Sequence, residues 1–194
     1  MKTLNYMIVE VDSAYNNEKK IGDVSLVVNS TIESVEHINR IAKVVASPEF
    51  TPIKAGDEVI IHHNICRLRN GVKGVLTQSD YHIEDNMYFV PLMEVFAYKP
   101  IGGEWTALAP FCFVEPIIDE TKQIGSIIVQ NSGDTFEGNI DKQGIVKYTN
   151  PELQEYGINV GDHVCFSEDS QYKFNIDGEV LYRMKTSDIL GKIE

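Results

Sequence analysis

The chain has 194 residues and a formal net charge of −12. Both halves are acidic: residues 1–98 carry 9 basic against 13 acidic side chains, and residues 99–194 carry 8 against 16. Such a surface repels phosphate backbones, which argues against nucleic acid as a partner. No apolar run approaches the ~18 residues that a membrane-spanning helix needs.

The N-terminus, Met1-Lys2-Thr3-Leu4-Asn5-Tyr6, has no signal-peptide layout. A strand is expected almost at once, over Tyr6–Val11. Further strands are predicted at Glu58–His62, Tyr88–Leu92, Phe111–Glu115, Gly144–Tyr148, His163–Phe166 and Glu179–Met184. These runs are rich in Val, Ile, Tyr and Phe and are separated by Gly, Asn, Asp and Pro. In the last of them Val180, Tyr182 and Met184 share one face and Arg183 takes the other, which predicts a barrel wall packed on one side and wet on the other. Ile32, Val35, Ile38, Ile41, Ala42 and Val45 recur at near-helical spacing. By itself that reads as a short amphipathic helix over Ser34–Val45. A strand over Ile41–Val45 competes with it.

The strand reading rests on internal repetition. Ile8-Val9-Glu10 matches Phe113-Val114-Glu115, and Lys20-Ile21-Gly22 matches Gln123-Ile124-Gly125. Ile41-Ala42-Lys43-Val44 matches Ile145-Val146-Lys147-Tyr148, and Ala55-Gly56-Asp57-Glu58-Val59 matches Val160-Gly161-Asp162-His163-Val164. Ile83-Glu84 then matches Ile176-Asp177, and Glu94-Val95-Phe96-Ala97 matches Asp188-Ile189-Leu190-Gly191. The matched order predicts two homologous domains, 1–98 and 108–194, joined by Lys99-Pro100-Ile101-Gly102-Gly103-Glu104. The first carries a hairpin insertion at about 62–80, with Asn70-Gly71 as its turn signal.

Three groups of residues in the second half carry a resemblance. Thr121-Lys122-Gln123-Ile124-Gly125-Ser126-Ile127-Ile128-Val129 runs into the polar stretch Gln130-Asn131-Ser132-Gly133-Asp134-Thr135. Gly161-Asp162-His163-Val164 opens a strand, and Ser187-Asp188-Ile189-Leu190 closes the chain. In that order they resemble the end of a GroES-type co-chaperonin subunit over roughly residues 108–194. The resemblance implies an all-β fold of two tandem, GroES-like, partly open β-barrels. It also implies a mobile loop at about 120–141 in which Gly125, Ile127, Ile128 and Val129 dock on a chaperonin. The polar stretch buries too little apolar area to offset chain ordering, and the aliphatics would supply the anchors on binding. Without the resemblance, Ile127–Gln130 reads as an ordinary strand in a hairpin.

The counterpart in the first half, at about 13–38, departs from the family pattern. Lys19-Lys20 replaces Thr-Lys and Ser25 takes the middle aliphatic place. Val24, Leu26 and Val27 are its candidate docking residues. The stretches Ser47–Ile53 and Asn150–Ile158 are too short for the roof hairpin of the bacterial family. In that they look similar to co-chaperonins of large tailed phages.

The resemblance implies a GroEL-type chaperonin ring as partner, nucleotide dependence through that partner, a homo-oligomeric ring, and a cytoplasmic setting in a bacterium or phage-infected host. It implies neither catalysis nor a cofactor. Two barrels per chain leave either seven chains with one barrel each in the ring or fewer chains in an imperfectly matched ring, and the unequal loops favour the heptamer, with the second domain facing the chaperonin. A virion protein reusing the same barrel is the competing reading. A zinc-type dehydrogenase would need a Gly-x-Gly-x-x-Gly, which is absent, as are the P-loop and the Gly-x-Ser-x-Gly.

The remaining chemistry-bearing residues have plain explanations. Cys66, Cys112 and Cys165 are odd in number and hold no Cys-x-x-Cys, which suits small core residues in a reducing compartment. His62, Cys66 and His82 could approach a metal, but no fourth ligand accompanies them, and a solvated hairpin accounts for them. Asp57-Glu58 and Glu84-Asp85 read as solvated turn charges. Trp105 is expected to pack between the domains.

Overall fold

The computed structural model describes residues 3–15, 18–21, 24–27, 38–71, 74–118, 123–124, 127–128, 139–168 and 170–194. The chain divides into two compact units, Met1–Trp105 and Thr106–Glu194. It is all-β in class: apart from short 3-10 turns, the one α-helix among the described residues is Pro151–Glu155.

The first unit contributes β1 (Tyr6–Glu10), β2 (Ile41–Ala46), β3 (Glu58–Ile61), β4 (His82–Glu84), β5 (Met87–Pro91) and β6 (Val95–Lys99). They lie in one antiparallel sheet in the order β6-β3-β2-β1-β5-β4. The second unit contributes β7 (Phe111–Ile118), β8 (Asn139–Tyr148), β9 (His163–Phe166), β10 (Tyr172–Ile176), β11 (Glu179–Lys185) and β12 (Ile189–Lys192). Their order is β12-β9-β8-β7-β11-β10. Taken strand by strand, the two orders are the same.

The turns agree as well. Between β4 and β5, and between β10 and β11, a two-residue turn begins with an aspartate at positive φ, Asp85 at 47° and Asp177 at 53°. Such turns suit the twist of the strands they join. Before β6 and β12 comes a single 3-10 turn, Leu92–Glu94 and Thr186–Asp188. His62 N–H donates to Glu94 O at 2.9 Å in the first unit, and Ser167 N–H to Asp188 O at 2.8 Å in the second.

The predicted strands are all present, with ends shifted by a few residues. Residues 41–46 form β2 and not the end of a helix: Ala42, Val44 and Ala46 are buried while Val45, which the helical reading placed on the apolar face, is exposed. Alternation of that kind belongs to a strand. Residues 31–37 lie outside the described residues.

The expectation of one wet face for β11 needs correction. Cys112, Val114, Val146, Leu153, Val164, Phe166, Tyr182 and Met184 form a core cluster on one face. On the other face Leu181 is fully buried beside Phe174, its cross-strand partner. Phe113 meets Phe174 edge to face at a centroid distance of 5.6 Å and Tyr148 at a tilt at 5.5 Å. The Arg183 guanidinium lies 5.0 Å from the Phe111 ring and 5.1 Å from that of Tyr172. Both faces are therefore apolar, and the charged head of Arg183 is accommodated by ring faces. Each fully buried aliphatic side chain adds about 1.5–3 kcal/mol.

Gly144 shows how tightly β7 and β8 approach. A Cβ there would collide with Val114 Cγ1 and lie 2.7 Å from Glu115 O. The pairing register shifts on either side of this point.

Candidate docking hairpins

The β1–β2 and β7–β8 connections each carry a small hairpin separate from the two main sheets. In the first, Glu18–Ile21 pairs with Val24–Val27, setting Lys19 opposite Leu26 and Lys20 opposite Ser25. In the second, Gln123–Ile124 pairs with Ile127–Ile128, setting Gln123 opposite Ile128 and Ile124 opposite Ile127. Candidate residues Ile127 and Ile128 thus lie on one short strand, and Val24, Leu26 and Val27 on its counterpart. The strand-in-a-hairpin reading of Ile127-Ile128 describes this local pairing, and the hairpin is separate from the main sheet. Gly125 and Val129, Thr121 and Lys122, and the polar residues 130–138 lie outside the described residues.

The connections leave the sheets differently. In the first unit Tyr15 and Ile38 form an isolated bridge, and Asn39 N–H donates to Ala14 O at 3.0 Å. In the second the sheet strands themselves extend, with Ile118 opposite Asn139.

The short stretches expected to lack a roof hairpin are compact turns. In Ser47–Ile53 the Thr51 hydroxyl donates to Pro48 O at 2.9 Å and lies 2.7 Å from Ser47 Oγ. In Asn150–Ile158 the chain forms the helix Pro151–Glu155, which sequence reading missed. Its signals were present: Asn150 as N-cap and proline in the first turn. Asn150 is buried. Its Oδ1 accepts Leu153 N–H at 2.9 Å, and its Nδ2 donates to Phe111 O at 2.5 Å and Thr186 Oγ1 at 3.0 Å.

Asp57 is also corrected: it is a buried structural group, not a solvated turn charge. Its Oδ2 accepts Lys54 N–H at 2.8 Å, and Ile101 N–H points to its Oδ1 at 3.4 Å. Segment 99–104, read as a joint, belongs to the first unit. Lys99 closes β6 and pairs with Glu58 at 3.5 Å, and its ammonium lies 5.6 Å from the ring of Trp105, which is buried.

The insertion forms a hairpin, but its turn is not at Asn70-Gly71. Asn70 is a strand residue opposite Leu76, and Gly71 N–H donates to Val75 O at 2.7 Å. A tight two-residue turn at Asn70-Gly71 would have placed Arg69 opposite residue 72; Arg69 instead pairs with Thr77.

His62 Nδ1 accepts Asn64 N–H at 3.1 Å, His82 Nε2 lies 2.9 Å from Asp85 O, and Cys66 is fully buried. Among the described residues no three His, Cys, Asp or Glu side chains gather around a metal position. Burial pushes the thiols of Cys66 and Cys112 up to about 12. Neither is a nucleophile at neutral pH. Among the described residues no helix is long and apolar enough to cross a membrane.

Residues 112–193 match the family model described as chaperonin 10 Kd subunit. The chaperonin 10 match runs from the second residue of β7 to just beyond β12. It therefore takes in the second sheet except Phe111, together with the β7–β8 connection and its hairpin, and covers less than half of the chain. No curated protein matches the chain.

Proposed function

We propose that the protein is a co-chaperonin, a non-catalytic subunit that caps a chaperonin ring and assists its ATP-driven folding of other proteins. The observation that carries this is the chaperonin 10 match across the second unit, including the connection that holds Ile127 and Ile128. In this reading Gly125, Ile127, Ile128 and Val129 dock on the chaperonin. One such apolar segment binds weakly, and a ring of identical subunits binds well because the remaining contacts become intramolecular.

The first unit is read as a second copy of the same domain. Support comes from the identical strand order, the matched aspartate turns and the hairpin at the same place. Its Val24, Leu26 and Val27 are assigned a subsidiary docking role, since Lys19 and Lys20 on the facing strand alter the chemistry of that hairpin. Seven chains in a closed ring, with the second unit toward the chaperonin, is the proposed assembly. The absence of a roof hairpin from the described stretches 47–53 and 150–158 supports a capping chamber open at its top, of the kind the sequence resemblance to phage co-chaperonins suggests.

The test is the double substitution Ile127→Ser with Ile128→Ser. Chaperonin-dependent refolding of a client should fail while circular dichroism is unchanged. Normal refolding by the double variant overturns the assignment, and loss of the fold would place these residues in a core.

A further inference from the structure

The insertion present only in the first unit builds a cleft that the co-chaperonin reading does not use. It has a volume of about 370 Å³ and is lined by Asn64, Arg67, Leu68, Arg69, Leu76 and Tyr81, among others. That is within the size range of small-molecule sites, roughly 300–1,000 Å³. In the second unit β9 passes to β10 through residues 167–171 alone, so nothing equivalent is built there.

Residues next in sequence to the lining are held in place. Ile65 and Cys66 are fully buried. The Ser79 hydroxyl donates to Ile65 O at 2.5 Å and accepts Tyr81 N–H at 3.3 Å. Phe89 N–H donates to Tyr81 O at 2.9 Å, and the two rings meet edge to face at 5.5 Å. Tyr81 is therefore a positioned ring, not a free surface side chain.

The charge is unusual for this chain. Within an overall charge of −12, the insertion holds Arg67, Arg69 and Lys73 against the single acid Asp80. Arg69 is committed to an ion pair with Asp80. Arg67 makes no side-chain ion pair with a described residue. Its planar guanidinium is suited to a bidentate oxyanion, with the Asn64 carboxamide as a further polar group on the wall and Leu68 and Leu76 as apolar ones.

We propose that this cleft binds a small organic anion: a phosphate or carboxylate on Arg67, attached to a flat ring that lies on Tyr81. A ring on an aromatic side chain and an oxyanion on arginine are the two contacts such a lining offers. The site abuts the base of the first connection. Leu68, part of its wall, donates its N–H to the Tyr15 hydroxyl at 3.0 Å, and Tyr15 bridges to Ile38 where that connection closes. Occupancy of the cleft would thus be felt at the stem of the Val24–Val27 hairpin.

Titration of the full-length protein with AMP, followed by amide NMR shifts, tests this. Saturable shifts at Leu68, Tyr81 and Tyr15 are expected, with a dissociation constant below about 1 mM. Arg67→Gln should weaken binding at least about tenfold at unchanged melting temperature, and Arg67→Lys should keep part of it. Adenosine and inorganic phosphate should each bind more weakly than AMP. An absence of saturable shifts, equal binding by Arg67→Gln, or adenosine binding as tightly as AMP overturns the proposal. Should Arg67→Gln lower the melting temperature, the ranking of AMP over adenosine on the unaltered protein decides.

Discussion

The carboxylate of Asp57 accepts the N–H of Lys54 at 2.8 Å, and the carboxylate of Asp162 accepts the N–H of Asn159 at the same distance. The surrounding bonds repeat. Gly56 N–H donates to Val44 O and Gly161 N–H to Val146 O, both at 2.8 Å. Val44 N–H returns to Asp57 O at 2.8 Å and Val146 N–H to Asp162 O at 2.9 Å, so Val44 corresponds to Val146 and not to Tyr148, two residues from the match read in the sequence. The glycines stand at φ 94° and 90°, where a side chain would be strained. One turn, specified by Gly-Asp, starts the third strand of each unit.

The two aspartates should nevertheless differ in weight. Asp57 is buried, so Asp57→Ala leaves the N–H groups of Lys54 and Ile101 without their acceptor. A loss of about 1–3 kcal/mol is expected. Asp162 is more accessible, and Asp162→Ala should cost less. Urea unfolding of the two variants under one buffer gives the ranking, and a larger loss for Asp162→Ala would refute it.

Asp162 also makes a pH prediction. The hydrogen bond from Lys192, at 2.8 Å, and then that from Asn159 N–H hold its carboxyl below the ordinary aspartate value of 3.8. A group whose folded value is depressed stabilises the fold above its unfolded value and loses that contribution as pH falls through the folded one. The stability gap between the protein and Asp162→Asn should therefore be constant at neutral pH and close from about pH 4 downward. A gap that instead widens in acid would contradict the ion pair.

Asn150 joins the only α-helix of the described residues to β7 and to the turn before β12. Asn150→Ala removes the helix cap and the donor to Phe111 O and Thr186 Oγ1, and should cost about 1–3 kcal/mol. Asn150→Asp keeps the cap and loses the donor. It should not restore full stability, which thermal melts of both variants would show.

Thiol reactivity should follow burial. Cys66 and Cys112 are fully buried, with thiols pushed up to about 12, while Cys165 is half-buried with its Sγ 3.6 Å from Gly191 O. At pH near 8 a colourimetric thiol reagent should titrate Cys165 first, and the other two only after unfolding. Rapid titration of two or more thiols in the native protein would be the contrary result.

Assembly is decided by mass. The proposed ring predicts a native mass near seven times 21.9 kDa, and proteolytic cleavage within 120–141 that added chaperonin and ATP suppress. Three or four chains would instead indicate a ring that mixes both units, and cleavage indifferent to chaperonin would argue against docking there.

Much of this was readable from the chain, for physical reasons. Strands such as His163–Phe166 announce themselves because alternate residues are buried. The Gly-Asp turns are visible because so few residues accept that backbone. The helical spacing misled over 41–45 because aliphatics on a strand also recur by threes and fours when some, like Val45, face solvent. His82–Glu84 and Tyr172–Ile176 were missed as strands. They sit at sheet edges, and their pairing is set by the neighbouring strand more than by their own composition. The bond from Leu68 to Tyr15 spans 53 positions, and no local pattern encodes it.

The identical strand order of the two units also bears on how the chain reaches its fold. Two halves that accept the same strand in the same place can exchange strands, a characteristic misassembly of repeated domains. Matching strands nevertheless differ in their side chains. β3 reads Glu-Val-Ile-Ile and its counterpart β9 reads His-Val-Cys-Phe. β7 meets β8 at Gly144, where a Cβ would collide with Val114 Cγ1, whereas β2, aligned through Val44 and Val146, carries Ala42 at that register. A strand from one half placed in the other would meet the wrong volumes. The unlike side chains of matching strands thus give each unit its own packing.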